Sequence, residues 1–229
     1  MPEESKTDSP PGKCKPDLPP GKRKPDLPPG KRKPDLSLAK DRPVFYYDLG
    51  SPYSWLAAER VNAELPEVPV WRPILLGGLF KALGRQSWAT TDAREEGMRE
   101  VERRAAAYGL PDVRWPDPWP GNTLLAMRAA TYATGIGKGV SFALAAFRQA
   151  FVGGRDLSHP DNVMIAAAAC ELHPNAVGRA VQQETVKDAL KAATEEALAR
   201  GVVGVPSLWI GEQVFWGDDR LSEAARALM

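Results

Sequence analysis

The 229-residue sequence predicts one α/β domain in which short strands near both of its ends enclose a large all-helical segment, with a disordered tail in front. Three observations predict this organisation. A proline-rich repeat fills the first part of the chain, β-rich runs lie near both ends of the remainder, and amphipathic helical patterns lie between those runs. A chain of this length with 43% hydrophobic residues can bury one good core.

The tail is a nonapeptide written three times over residues 10–36, first as PPGKCKPDL and then twice as PPGKRKPDL. Its proline and glycine content opposes a helix, and one leucine per repeat cannot bury enough surface to offset chain entropy. We expect residues 1–42 to be disordered, with extended polyproline-like segments. The Lys-Arg-Lys triplets would suit a polyanion or a docking partner, but the aspartate in each repeat dilutes that charge. This favours a repeat expansion outside the working domain.

The working domain is predicted at residues 43–229 and opens as β-α-β. The run 44–48 is rich in aromatic and β-branched residues and is followed by a Gly-Ser-Pro turn. Ser51 can cap a helix whose first residue is Pro52, where the missing N–H does no harm, and the helix is predicted to reach about residue 65. A second strand is predicted over 68–74.

A helical insertion is predicted at about 78–182, because the chain then shows amphipathic segments separated by Gly/Pro-rich breaks. These helices are predicted at 92–108, 123–133, 141–152 and 161–171, followed by one more at 183–200. Strands at 205–210 and 213–216 across a Gly-Glu turn predict a hairpin, and a last helix is predicted at 220–228. This order of elements is that of a thioredoxin-like fold carrying a large all-helical insertion.

The composition excludes several function classes. Thirty basic and 29 acidic side chains give a net charge of +1, so nothing global indicates nucleic acid. Cys14 and Cys170 are the only cysteines and His159 and His173 the only histidines, so we expect neither a CxxC dithiol nor a metal site. No signal peptide or long apolar run is present, which favours a cytoplasmic protein with no membrane partner.

Four sequence blocks carry a family resemblance. In order and spacing across 44–229, the chain resembles kappa-class glutathione transferases and 2-hydroxychromene-2-carboxylate isomerases, members of the DsbA-like branch of the thioredoxin superfamily. The blocks are FYYDLGSPYSWL at 45–56, RPILLGGLFK at 72–81, GVVGVP at 201–206 and FWGDDRL at 215–221. Ser51 and Ser54 stand where the redox members of this superfamily carry the two cysteines of C-P-Y-C.

The resemblance implies that bound glutathione, or another low-molecular-weight thiol, is the cofactor and that Ser51 is the catalytic residue that hydrogen-bonds its thiol. It implies cofactor contacts by Pro52, Tyr53, Arg85, Val205, Pro206, Asp218 and Asp219. The family commonly has Ser or Asn at position 218, so only Asp219 carries over cleanly. Arg85 stands where the family often has asparagine, and Arg85 with Lys81 would suit an anionic substrate; a solvated helix cation is the alternative for Lys81.

The other residues of this site also have structural alternatives. Val205–Pro206 matches the cis-proline of thioredoxin-like proteins, and an ordinary trans proline opening an edge strand is the alternative. Ser51 could act only as an N-cap, and the two aspartates could act only as cap acids for the last helix. The aromatic set Tyr53, Trp55, Trp88, Trp115 and Trp119 would suit a flat ligand, although several members are expected in the core.

The energetics of holding a thiolate are compatible with a serine. Lowering a thiol pKa from about 8.5 by two units needs roughly 2.7 kcal/mol. A hydrogen bond to a charged group gives about 1.5–3 kcal/mol, and a helix N-terminus adds roughly 0.3–1 kcal/mol.

We therefore expect a glutathione-dependent isomerase or transferase whose partner is a small-molecule electrophile, an aromatic or enone-type carboxylic acid. The family commonly dimerises, so the resemblance also implies a homodimer. A non-catalytic thiol- or peptide-binding module is the alternative. A thiol–disulfide oxidoreductase is disfavoured because neither position 51 nor position 54 is cysteine.

Overall fold

The computed structural model describes residues 42–229, so the predicted tail lies almost entirely outside the described residues. A four-stranded mixed sheet lies at the centre of the fold. Its strands are β1 (Val44–Tyr47), β2 (Val70–Pro73), β3 (Ser207–Ile210) and β4 (Gln213–Trp216). They are arranged in the order β2-β1-β3-β4, with β1 parallel to β2 and antiparallel to β3, which pairs with β4. This arrangement confirms the thioredoxin-like fold.

Strand β1 is central because all four of its residues are apolar or aromatic and all four are buried. Its alternating side chains belong to two separate cores. Phe45 and Tyr47 pack with Trp71, at 4.9 and 5.6 Å between ring centroids, in the larger core. Val44 and Tyr46 belong to the smaller core on the other face. Because β1 is enclosed on both faces, the turn that follows it begins from a rigid support.

Helices cover both faces of the sheet. Within the described residues they are α1 (Pro52–Ala58), α2 (Val61–Glu64), α3 (Leu76–Leu83), α4 (Arg94–Ala107), α5 (Leu124–Gly135), α6 (Gly139–Phe151), α7 (Pro160–Ala169), α8 (Pro174–Ala180), α9 (Glu184–Ala199) and α10 (Leu221–Arg226). Two short 3-10 turns lie at Trp88–Thr90 and Asp218–Arg220. The sequence pattern predicts α4 to α7, α9 and α10 within a few residues, but it singles out neither α3 nor α8. No helix of these residues is both long and apolar enough to cross a membrane.

The predicted helix from Pro52 to about residue 65 is interrupted, which corrects the sequence expectation. Helix α1 ends at Ala58, and α2 begins at Val61. Arg60 lies at the break: its guanidinium carbon is 3.5 Å from the centroid of the Tyr108 ring, and its Nη1 donates to the carbonyl of Asp218 at 3.4 Å. We attribute the interruption to these tertiary contacts, which outweigh the local helical preference.

A buried carboxylate joins four elements beside the sheet. Asp48 follows β1, and its Oδ1 accepts hydrogen bonds from the amide of Gly50 at 2.8 Å and from Oγ1 of Thr123 at 3.1 Å. Its Oδ2 accepts from the amide of Leu76, the first residue of α3, at 2.8 Å. Burial raises the pKa of Asp48 while these donors lower it. The carboxylate thus fixes the turn before α1 against the starts of α3 and α5.

We predict that Asp48→Asn lowers the free energy of unfolding by about 1–3 kcal/mol, because an amide offers one acceptor oxygen and turns its NH₂ toward a buried donor. Urea denaturation would measure the change. Asp112→Asn, at an exposed position, is the matched control and should change stability by less than about 0.5 kcal/mol. Equal effects of the two substitutions would contradict the proposed role of Asp48.

Candidate active site

A cavity of about 490 Å³ lies at the carboxyl end of β1. It is lined by residues from the turn before α1, the start of α3, the 3-10 turn at Trp88–Thr90, the loop before α5, and the segments around Pro206 and Asp218. Its volume lies within the range of roughly 300–1,000 Å³ that is typical of small-molecule sites. The thioredoxin-like part and the helical insertion both contribute walls, so the cavity forms only in the complete fold.

Ser51 lies on the cavity wall and also caps α1. The side-chain oxygen accepts the amide hydrogen of Ser54 at 3.2 Å, as predicted for an N-cap, and the residue is only 5% exposed. Its hydroxyl donates to the carbonyl oxygen of Val205 at 3.5 Å, at the outer limit of a hydrogen bond. Capping therefore uses an oxygen lone pair, whereas the hydroxyl proton makes only a weak bond. That proton can be redirected to a stronger acceptor in the cavity.

The segment facing Ser51 leaves backbone groups unpaired. The Val205–Pro206 peptide bond is cis, as the sequence predicts, and both residues line the cavity. Within residues 42–229 the amide of Val205 donates to no backbone partner, and its carbonyl accepts only from Ser51. The carbonyl of Pro206, in contrast, accepts the amide of Gly217 at 3.0 Å. One peptide edge is therefore available to an extended ligand.

The two adjacent aspartates have different environments. Asp218 is 1% exposed; its Oδ1 accepts from Arg104 Nη1 at 2.8 Å and its Oδ2 accepts from the Tyr108 hydroxyl at 3.0 Å. Arg60 Nη1 lies 4.0 Å from Oδ2. Burial raises the pKa of Asp218, and the Arg104 guanidinium opposes that shift. With these partners in place, Asp218 organises the wall of the cavity.

Asp219 is the more accessible of the two, with a side chain 57% exposed and its Oδ2 3.6 Å from Arg104 Nη1. Its Oδ1 rests on Gly217, whose φ of 126° and lack of a side chain allow this close approach. Both aspartates line the cavity. Only Asp219 combines that position with substantial exposure.

The two cations that the sequence predicts at the site lie outside the cavity lining. Arg85 is exposed; its Nη1 donates to the carbonyl of Val203 at 3.1 Å, and its guanidinium lies 5.0 Å from the ring of Trp216, which does line the cavity. Arg85 is therefore at the rim. Lys81 is exposed in the last turn of α3, where its neighbour Phe80 faces the cavity.

Several cavity residues escaped sequence reasoning. Among the described residues, Arg104 is the one cationic side chain that lines the cavity, and its Nε also donates to Glu100 at 2.6 Å. In the sequence it belongs to a charged helix pattern that is typical of a solvated face.

Pro52 and Tyr53 line the cavity together with Trp88 and Trp119. Trp55 is fully buried and Trp115 is not part of the lining.

Neither cysteine nor metal chemistry has an evident centre in the described part of the chain. Its cysteine, Cys170, is 6% exposed beside α7, and burial raises the pKa of its thiol. Residues 42–229 contain no group of three or more His, Cys, Asp or Glu side chains placed to hold a metal ion.

Comparisons with known proteins place this geometry in context. Residues 44–229 match the family described as DSBA-like thioredoxin domain. The chain is 28% identical to a 2-hydroxychromene-2-carboxylate isomerase from Sphingobium xenophagum, over 77% of this chain and 92% of that protein. It is 24% identical to an isomerase of the same name from Pseudomonas putida, over 77% and 89% respectively. A solved 2-hydroxychromene-2-carboxylate isomerase structure superposes with a TM-score of 0.74 at 20% identity, covering 81% of this chain and 93% of that chain.

We predict that Asp218→Asn lowers the free energy of unfolding by about 2–3 kcal/mol, because it removes a buried charge that Arg104 and Tyr108 both bind. Asp219→Asn changes an exposed carboxylate and should cost less than about 1 kcal/mol. Chemical denaturation of the two single variants under identical conditions is the measurement. The assignment is wrong if the Asp219 variant is the less stable of the two.

Proposed function

The chain belongs to the DSBA-like thioredoxin domain family, and on that premise we propose that it is a glutathione-dependent isomerase or transferase acting on an electrophilic, aromatic carboxylic acid. The names of its relatives support an isomerase of the 2-hydroxychromene-2-carboxylate type. One observation carries the proposal: a buried serine hydroxyl, Ser51, lines the cavity at the position where redox members of this fold have a cysteine. The reactive sulfur is then supplied by the ligand.

The residues of the cavity fit glutathione. Its central cysteine has a backbone that can pair with the unpaired N–H and C=O groups of Val205, as an added strand does. The ammonium of its γ-glutamyl group can pair with the exposed carboxylate of Asp219. Arg85, at the rim, can bind a carboxylate of the thiol or of the substrate. Another low-molecular-weight thiol with a cysteinyl unit would meet the same groups.

When held by Val205 and Asp219, glutathione would supply a thiolate as the nucleophile toward an electrophilic carbon of the substrate, and in an isomerisation it would not be consumed. The proposed role of Ser51 is to donate a hydrogen bond from its hydroxyl to that sulfur, which stabilises the thiolate. A hydrogen bond to a charged acceptor is worth about 1.5–3 kcal/mol, close to the roughly 2.7 kcal/mol that a two-unit pKa shift requires. Because α1 has only seven residues, its dipole contributes less than the sequence suggests, and the hydroxyl carries most of the shift.

We predict that Ser51→Ala raises the pKa of glutathione bound to the protein by about 1–2 units, because the anionic sulfur loses its donor. Turnover of an electrophile at neutral pH should fall about tenfold or more and recover as the pH rises. Ultraviolet absorbance of the thiolate, titrated with several biological thiols, measures the shift.

Ser54→Ala is the matched control for this experiment. Ser54 lies three residues further along α1, is fully buried outside the cavity lining, and its hydroxyl has no hydrogen-bond partner within the described residues. Its loss should leave the thiol pKa unchanged. Normal thiol ionisation in the Ser51 variant would refute the role assigned to Ser51. Thiol binding without turnover of any electrophile would identify a non-catalytic binding module instead.

A second prediction tests the orientation of the thiol. Asp219→Asn should weaken glutathione about five- to tenfold and leave cysteinylglycine unaffected, because that dipeptide lacks the γ-glutamyl ammonium. Isothermal titration calorimetry with both ligands gives the two affinities. An equal loss of affinity for both ligands, or unchanged affinity for both, would mean that the γ-glutamyl end of glutathione does not bind at Asp219.

A further inference from the structure

Two aromatic rings separate the active-site cavity from a second depression. Tyr53 and Trp88 line the cavity, and the same two residues line a neighbouring depression of about 490 Å³. The remaining walls of that depression come from α4 and the residue before it, and they carry charged side chains such as Arg99 and Arg103. The rings therefore form the partition between the two spaces.

The Trp88 indole packs against α4 at Gly97, where the lack of a side chain leaves room for the ring. A Cβ atom at Gly97 would overlap Cε3 and Cζ3 of the indole, so the ring lies directly on the helix backbone. The ring also packs edge-on against Tyr53, at 5.9 Å between centroids, and in a tilted arrangement against Trp119, at 5.3 Å. The 3-10 turn that carries Trp88 is capped by Ser87, whose hydroxyl oxygen accepts the amide of Ala89. The indole is thus fixed on several sides.

The surroundings of Trp88 suit a flat, apolar part of a ligand. Tyr53, Trp88 and Trp119 form a continuous aromatic wall of the cavity. Three of the charged side chains of the lining, Asp48, Arg104 and Asp218, already bind one another or the backbone. Aromatic rings gain most from offset or edge-to-face contact with other rings. A planar electrophile lying against this wall would end at the Trp88 partition.

We propose that Trp88, seated on Gly97, is a specificity-determining residue that limits the size of the aromatic electrophile. The inference rests on the proposed function for the identity of the ligand, but the partition itself can be measured by binding alone. Removing the indole joins the cavity to the depression beside α4. Pushing the indole off Gly97 moves it toward Tyr53 and Trp119 and narrows the cavity.

The experiment compares the binding of benzoate, 2-naphthoate and pyrene-1-carboxylate to the full chain without any thiol, by fluorescence or calorimetry. In Trp88→Ala the affinity for the pyrene acid relative to benzoate should rise at least tenfold. In Gly97→Ala the same ratio should fall about threefold or more. Trp209→Ala is the matched control, because Trp209 lies on β3 outside the cavity lining. In this variant the affinity for the pyrene acid relative to benzoate should stay within twofold of the wild-type value.

Opposite changes of the affinity ratio in Trp88→Ala and Gly97→Ala distinguish a partition at Trp88 from a general loss of packing around the cavity. An unchanged ratio in Trp88→Ala, or the same rise in Trp209→Ala, overturns the proposal. Circular dichroism checks that each variant folds. If Trp88→Ala does not fold, Trp88→Phe, which keeps a smaller ring, should raise the ratio above the wild-type value. Because no thiol is present, this result is independent of the Ser51 titration. If Trp88 does not limit ligand size, the proposed role of Ser51 is unaffected. If Ser51 does not stabilise a thiolate, the role of Trp88 can still be measured.

Discussion

The site depends on one buried carboxylate. Asp48 accepts hydrogen bonds from the turn before α1, from the first residue of α3 and from the residue before α5. Each of these elements contributes a wall of the cavity, and the turn carries Ser51. Asp48 directly follows β1, the strand that is enclosed on both faces, so its hydrogen bonds hold the turn that carries Ser51 against the central part of the sheet. A loop held only by packing would not fix a hydroxyl to within hydrogen-bond tolerance.

At the other end of the cavity, two adjacent aspartates have different roles. Asp218 satisfies its carboxylate with Arg104 and Tyr108, while Asp219, one residue later, keeps its carboxylate exposed. A buried and fully bonded acid orients its partners, whereas an exposed acid beside it remains free to meet a ligand. The proposed thiol site therefore combines a rigid frame with a few uncommitted groups: the Ser51 proton, the Val205 backbone and the Asp219 carboxylate.

The sequence predicts those parts of the fold that depend on local chemistry. The β-rich run of β1, the Ser51–Pro52 helix start and the hairpin of β3 and β4 all follow from residues within a few positions of one another. Sequence reasoning did not find Arg104, because its partner Asp218 is 114 residues away and its local pattern is that of a surface helix. The interruption after α1 has the same kind of cause, since it depends on the contact of Arg60 with Tyr108, the residue that follows α4. The sequence around Gly97 likewise gives no indication of its role, because that role depends on the contact of Gly97 with the Trp88 indole.

The burial of Cys170 has a consequence for a protein that is proposed to work among thiols. Glutathionylation requires an ionised, accessible cysteine that attacks glutathione disulfide and releases one glutathione, whereas Cys170 is 6% exposed with a thiol pKa raised by burial. The folded region at 42–229 therefore presents no sulfur that would be glutathionylated when the cell becomes oxidising. Under the proposed function, activity would depend on the redox state of the bound thiol and not on that of the side chains in this region.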